Sequence, residues 1–291
     1  MRPHRKYIAG VLAAFAFIIV FTQTTHAAAA DGQQLNVPQG SNASLNWSGY
    51  VAGGNGSQDN YTSVTGSWVV PNVPASSANS ADATWVGIGG VQSRDLVQAG
   101  TQALVQDGVV TYSAWIETLP GFSKTVPLAV QSGDSVTASV TEEAPGSWLI
   151  TINDNTRGTS YSKTVAYNSS RSSAEWVEEM VSNGNGTFRP LDSFGSIAFT
   201  NAEATVNGAS ENLTQLGAQP LQMVNGLHDS LASVSTIGAD NTSFTVARST
   251  ALATVAPVTV IVRHRRHAYI STSGGTYRIV GLPSSFSIER F

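Results

Sequence analysis

Three features of this 291-residue chain predict an all-β fold, a sandwich or barrel of many antiparallel strands. Short apolar runs are cut at close intervals by Gly, Asn, Ser and Pro, the punctuation of strands joined by turns. Many runs alternate with a period of two: in Ser135–Thr141, Val136, Ala138 and Val140 share one face. Val, Thr, Ser, Tyr and Trp dominate while the helix formers Lys and Leu are thin, and that balance suits a pleated, half-buried surface.

In chain order, Arg2, Arg5 and Lys6 form a basic start, followed by an apolar run from Ile8 to Phe21 and small residues from His26 to Ala30. The run is shorter than the roughly 18 to 20 residues of a membrane span. Residues 1–30 therefore read as a signal peptide that is removed on export, leaving no membrane segment. Residues 31–45 are polar, with Pro and Gly, and read as a short N-terminal tail. From Asn46 strands are expected at Ser67–Val70, Thr84–Ile88, Val109–Glu117, Ser135–Thr141, Trp148–Asn153 and Ile197–Thr200. No linker or repeat divides residues 46–250, so they read as one domain. In the extension 251–291, VAPVTVIV runs into Arg263–His267, and SGG turns it into TYRIVGL, as in an appended hairpin of unknown role.

The stretch Ser172–Met180 concentrates acid beside Trp176. It suits a short amphipathic helix by propensity or a strand by period. In either form Glu175 and Glu179 share a face, and as a strand Glu178 points away with Trp176. A solvated acidic edge is the plain alternative.

Composition removes most chemistries. The absence of cysteine excludes disulfides, thiol catalysis and thiolate metal sites. Between Trp47 and Arg248 there are seven Lys or Arg against seventeen Asp or Glu, a body with little affinity for nucleic acid. After residue 30 the only histidines are His228, His264 and His267. Three arginines around the last two oppose a metal cation, and no nucleophile elbow, P-loop or dinucleotide fingerprint is present. No metal or other cofactor is implied. An enzyme built on this chain must use carboxylates and amides, with Glu117, Glu175 and Glu179 beside aromatics as candidates.

Five ordered segments carry a family resemblance: Asn46–Tyr50 (NWSGY), Trp85–Gly90 (WVGIGG), Leu96–Thr101 (LVQAGT), Ala114–Pro120 (AWIETLP) and Ser173–Glu179 (SAEWVEE), with FGSIAFTN following at Phe194–Asn201. Together they resemble the glutamic peptidases, the eqolisin family of acid-acting, pepstatin-insensitive endopeptidases. The resemblance implies a β-sandwich of two bent antiparallel sheets, secretion, polypeptide substrates and a monomer. It also implies a catalytic dyad, falling on Gln98 and Glu179. Glu179, with an expected pKa near 4, would act as general base and then acid on water and the leaving amine. Gln98 would stabilise the oxyanion, since a carboxamide remains a donor at every pH. Trp47, Trp85, Trp115 and Glu117 match positions lining the family's substrate cleft. The chain departs from the pattern at Gly89 and Gln102, where acids are usual, and at Ile116 and Leu119, where aromatics are common; the extension 251–291 has no counterpart. Two other readings stay open: a secreted carbohydrate- or protein-binding sandwich without catalysis, and a glycosidase pairing Glu117 with Glu179 across roughly 5 to 9.5 Å.

Overall fold

In a computed structural model the described residues are 41–249, without 55–57, 77, 92 and 184–186, together with 20–21, 260–261, 267–272, 275–280 and 287–290. Every regular element among them is a strand. The first eight are β1 (Val20–Phe21), β2 (Asn42–Ser44), β3 (Trp47–Gly53), β4 (Tyr61–Val69), β5 (Ser80–Gly89), β6 (Leu96–Gln106), β7 (Val109–Thr118) and β8 (Lys124–Thr125). There follow β9 (Ser135–Ala144), β10 (Ser147–Asp154), β11 (Thr159–Ala166), β12 (Ser173–Glu179), β13 (Ser196–Val206), β14 (Ala209–Asn212), β15 (Gln219–Val224), β16 (Ser230–Val234) and β17 (Phe244–Arg248). The expected strand segments all fall within these elements, apart from Val70 at the end of one run.

The strands pair in two groups. One runs β8–β7–β6–β5–β12–β3–β15, with β16 and β17 beyond. The other runs β11–β10–β9–β4–β13–β14. Strand β13 joins them: Ser196–Phe199 pairs with β17, and the stretch from Thr200 to Val206 pairs with β4. Pairing is antiparallel except where β15 runs parallel to β2.

Alternation then sorts the side chains. Tyr50, Val86, Val97 and Trp176 of the first group pack with Trp68, Val136, Val140 and Ile150 of the second in the main apolar layer. The other face of the first group carries its own buried cluster, with Trp47, Val51, Ala83, Trp85, Trp115 and Val177. All six tryptophans are buried. Removing one such side chain typically costs about 3–5 kcal/mol, so a chain of this size can hold together without disulfides.

Three regions sit differently from the plain sequence reading. The tail ends early, because Asn42–Ser44 pairs with Leu221–Met223. Within the stretch read as leader, Val20 and Phe21 pair with Ala43 and Asn42, two apolar residues extending an edge; the rest of 1–30 lies outside the described residues. In the extension, β18 (Val260–Ile261), β19 (His267–Thr272), β20 (Gly275–Val280) and β21 (Ser287–Arg290) form a separate antiparallel sheet. The expected hairpin is β19–β20, with two further strands beside it.

Candidate active site

The site is built on β12, which the structure settles as a strand with every residue from Ser173 to Glu179 buried. Pairing on both sides, with β3 and β5, is what buries it. A solvated acidic edge is thereby excluded.

Register lays three rows of side chains across one face of β3, β12, β5, β6 and β7, since directly opposed residues share a face. The first row is Trp47, Glu179, Ala83, Gln102 and Ser113. The second is Gly49, Val177, Trp85, Gly100 and Trp115, and the third is Val51, Glu175, Gly87, Gln98 and Glu117. Glu179 and Gln98 thus stand on the same face of one sheet, two strands apart, on either side of a row that carries Trp85 and Trp115. Gly100 makes this spacing possible. A Cβ there would lie 2.1 Å from the Thr84 carbonyl oxygen and 2.6 Å from the Trp85 Cβ, closer than any side chain tolerates.

Glu179 sits among nitrogen donors. Its Oε2 accepts from Trp85 Nε1 at 2.8 Å and its Oε1 from Asn46 Nδ2 at 3.2 Å. Trp47, opposite Glu179 in the pairing with β3, also favours the carboxylate. Asn46 is itself fixed, because its carbonyl accepts from Met180 N at 2.8 Å, at the end of β12. The NWSGY segment therefore supplies two contacts to Glu179 besides the pairing of β3. Burial pushes the Glu179 carboxyl up to about 7, against the lowering effect of these donors. That corrects the sequence expectation of a value near 4. In acid Glu179 holds a proton.

Gln98 is anchored from β7. Its Nε2 donates to Glu117 Oε2 at 2.5 Å, which commits one amide hydrogen and leaves the other. Its Oε1 is buried without a hydrogen-bond partner. Burial, and then the charge of Glu179, push the Glu117 carboxyl up to about 8, opposed by hydrogen bonds from Gln98 and the Ser123 backbone. Glu117 therefore senses both members of the expected dyad. The four residues expected to line a cleft are each at most 2% exposed. Trp47 and Trp85 hold Glu179, packing edge to face at 4.5 Å, while Glu117 holds Gln98. Trp115 lies in the same cluster.

The reverse face carries a second acid group. Glu178 accepts from Thr84 Oγ1 at 2.7 Å, as period two requires. Asp82 and Asp192 lie near it. Burial raises all three, Asp82 to about 7, Asp192 to about 8 and Glu178 well above the carboxylate range. Asp82, Asp192 and Asn46 were not among the site residues expected from the sequence. An Asp inside the apolar run of β5 was the available signal for Asp82.

A profile of the peptidase A4 family matches residues 45–247. The chain belongs to the peptidase A4 family. Aspergillopepsin-2 of Aspergillus niger is 31% identical over 202 residues, covering 61% of this chain and 70% of that protein. Scytalidopepsin B of Scytalidium lignicola is 34% identical over 155 residues, covering 49% of this chain and 59% of that protein. Among solved structures, scytalido-glutamic peptidase with a transition state analog inhibitor superposes with a TM-score of 0.60 at 27% identity, over 70% of this chain and 98% of that one. Aspergilloglutamic peptidase from Aspergillus niger gives 0.53 at 27% identity, over 58% and 99% of the two chains. The chain is thus a glutamic peptidase, and its sheets take the family's sandwich form. One departure of this A4 peptidase from the family pattern has a local cause. At Gly89, whose φ is +90°, a Cβ would meet Asp95 O at 2.8 Å and Asp95 Oδ2 at 2.9 Å. A carboxylate from the next strand's approach already occupies that space.

Proposed function

We propose that this A4 peptidase is an exported endopeptidase that cuts polypeptides in acid, with Glu179 as the proton-transfer group and Gln98 as the oxyanion donor. The observation that carries this is a buried, proton-holding carboxyl on the same sheet face as an anchored carboxamide. Because burial keeps the proton on Glu179, the cycle in acid opens from the carboxylic acid. Glu179 gives its proton to the scissile carbonyl oxygen as water adds to the carbonyl carbon. The uncommitted Nε2 hydrogen of Gln98 donates to the same oxygen, and such a donor is typically worth on the order of 100- to 1,000-fold in rate. The Glu179 carboxylate then takes a proton from the added water and passes it to the leaving nitrogen as the C–N bond breaks. Proton loss from the new carboxyl group restores Glu179.

The direct test is hydrolysis of a denatured protein at about pH 3 with pepstatin present, where a buried acid of this kind is protonated. No cleavage there by the correctly processed chain would end the proposal. A finer expectation concerns Trp85→Phe, which removes a donor to the Glu179 carboxylate. Its loss favours the protonated form, so the fall in kcat toward neutral pH should move upward by on the order of one pH unit. An unmoved or lowered limb would show that Glu179 does not govern it.

Residues 1–30 are proposed to be a leader, removed on export, and residues 251–291 a segment outside the catalytic domain. A chain ending at Thr250 is expected to keep its circular dichroism spectrum at neutral pH and its kcat in acid. Unfolding of that chain would make the extension part of the domain.

A further inference from the structure

The dyad rows end near one rim of the sheet. Gln98 stands two residues from the last pair of β5 with β6, Gly89 with Leu96, and Glu117 one residue from the end of β7. Strand ends are where a ladder constrains side chains least. At this rim the connection from β11 to β12, residues 167–172, crosses over and is tied down twice.

The Tyr167 hydroxyl accepts from Leu96 N at 2.7 Å and donates to Leu119 O at 2.8 Å. Those backbone groups lie two residues from Gln98 and two from Glu117. Burial pushes the phenol up to about 12, so its proton stays in place at any working pH. Tyr167 is held in turn, since its N donates to Gly146 O at 2.9 Å and its carbonyl accepts from Trp148 Nε1 at 3.1 Å. Three residues on, Asp95 Oδ2 accepts from Ser170 N at 2.5 Å and from Ser169 Oγ at 3.2 Å. The missing side chain at Gly89 leaves room for that carboxylate. Strand β12 begins at Ser173, directly after the tied segment.

We propose that Tyr167 and Asp95 are positioning residues, a clamp that fixes the Gln98–Glu117 pair on β6 and β7 against β12 and Glu179. The proposal rests on the Gln98–Glu179 assignment above. Backbone pairing through β5 sets the register of these strands, whereas the clamp sets how their free ends sit relative to one another. Proton transfer and oxyanion donation are sensitive to such placement, and a shift of about 1 Å can cost on the order of 100-fold.

The test is steady-state cleavage of a soluble peptide in acid by the mature protein, with kcat, KM and the thermal midpoint measured for each variant. Tyr167→Phe keeps the ring and the direct Leu119 N to Leu96 O bond of 2.9 Å, so it should fold. Its kcat is expected to fall by roughly 10- to 100-fold, with KM changed by less than about threefold. Asp95→Ala should also lose kcat, and Asp95→Asn, which keeps an oxygen acceptor for Ser170 N, should recover most of that loss. A wild-type kcat in Tyr167→Phe overturns the clamp, whatever its thermal midpoint, and so does a rise in KM at unchanged kcat. Should Tyr167→Phe fail to fold, Asp95→Ala decides on the same criteria. Failure of the dyad itself would look different: Glu179→Gln would remain active while the clamp variants gave any result.

Discussion

Glu179→Gln is expected to lower kcat by about 1,000-fold or more while the protein stays folded, because in the proposed cycle one carboxyl serves as both acid and base and each role is typically worth 100- to 10,000-fold. A carboxamide cannot pass the proton. The substitution has a structural cost as well. Gln presents one oxygen and one NH2 where the native side chain accepts from Trp85 on one oxygen and from Asn46 on the other, so one donor faces another donor. Such a mismatch costs roughly 1–3 kcal/mol, enough to lower the thermal midpoint but not to unfold a domain of this size. Glu178→Gln is the internal control. Its side chain faces Thr84 and Asp82 on the reverse of the sheet, and kcat should remain within a few-fold of wild type. The measurement is kcat on a peptide in acid, beside thermal melts of all three proteins. Equal loss in both variants would mean that the reverse-face acids, not Glu179 alone, carry the chemistry.

Stability should be greatest in acid and fall steadily toward neutral pH. Glu179 and Asp82 are raised to about 7, Glu117 and Asp192 to about 8, and Glu175 and Glu178 well above their ordinary value, burial being the first cause in each case. A carboxyl whose folded pKa exceeds its unfolded one stabilises the fold fully below the unfolded value, near pH 4, and loses that contribution as pH rises through the folded value. The window is therefore about pH 4 to 8. Each proton that the fold keeps and the unfolded chain has released gives a slope of about 1.4 kcal/mol per pH unit.

Opposing terms are small. Arg157 pairs with Asp134 and Asp154, and Arg171 with Glu142, but partly exposed pairs of this kind are typically worth about 0–1 kcal/mol each. The seven basic groups of the body leave little self-repulsion once the acids are neutral. Thermal midpoints by circular dichroism from about pH 3 to 9 should decline through the window. Asp82→Asn, which removes one titrating member of the reverse-face group, should flatten the decline and raise the midpoint at about pH 8. A midpoint that rises from acid to neutral pH would refute the assignment of these buried protons.

Much of the site was legible before any tertiary contact was known, and the reasons are specific. Period two in SAEWVEE put Glu175 and Glu179 on one face and Glu178 on the other, because a strand's alternation is fixed by its backbone. The five ordered segments marked Gln98 and Glu117 through resemblance. Other features could not be read. The strand form of Ser172–Met180 stayed open between helix and sheet, since a fully buried strand lacks the polar alternation that distinguishes it. Asp95 and Tyr167 gave no signal, and Asn46 stood in the NWSGY segment without a role, because their roles are hydrogen bonds to residues 75, 71 or 48, and 133 positions away.

The order of residues along the chain was enough to show an all-β fold, the alternation of side chains along each strand, the exclusion of disulfide and thiol chemistry, and export as the expected route. These follow from local geometry and composition, which act at every residue independently of what lies across the sheet. That Trp47 and Trp85 hold Glu179, that Glu117 holds Gln98, and that six carboxyls keep protons well above their ordinary range emerged only from the packing of strands against one another. Those outcomes depend on which strands become neighbours and how much water they exclude. A carboxyl's pKa is set by that surrounding volume rather than by its place in the chain.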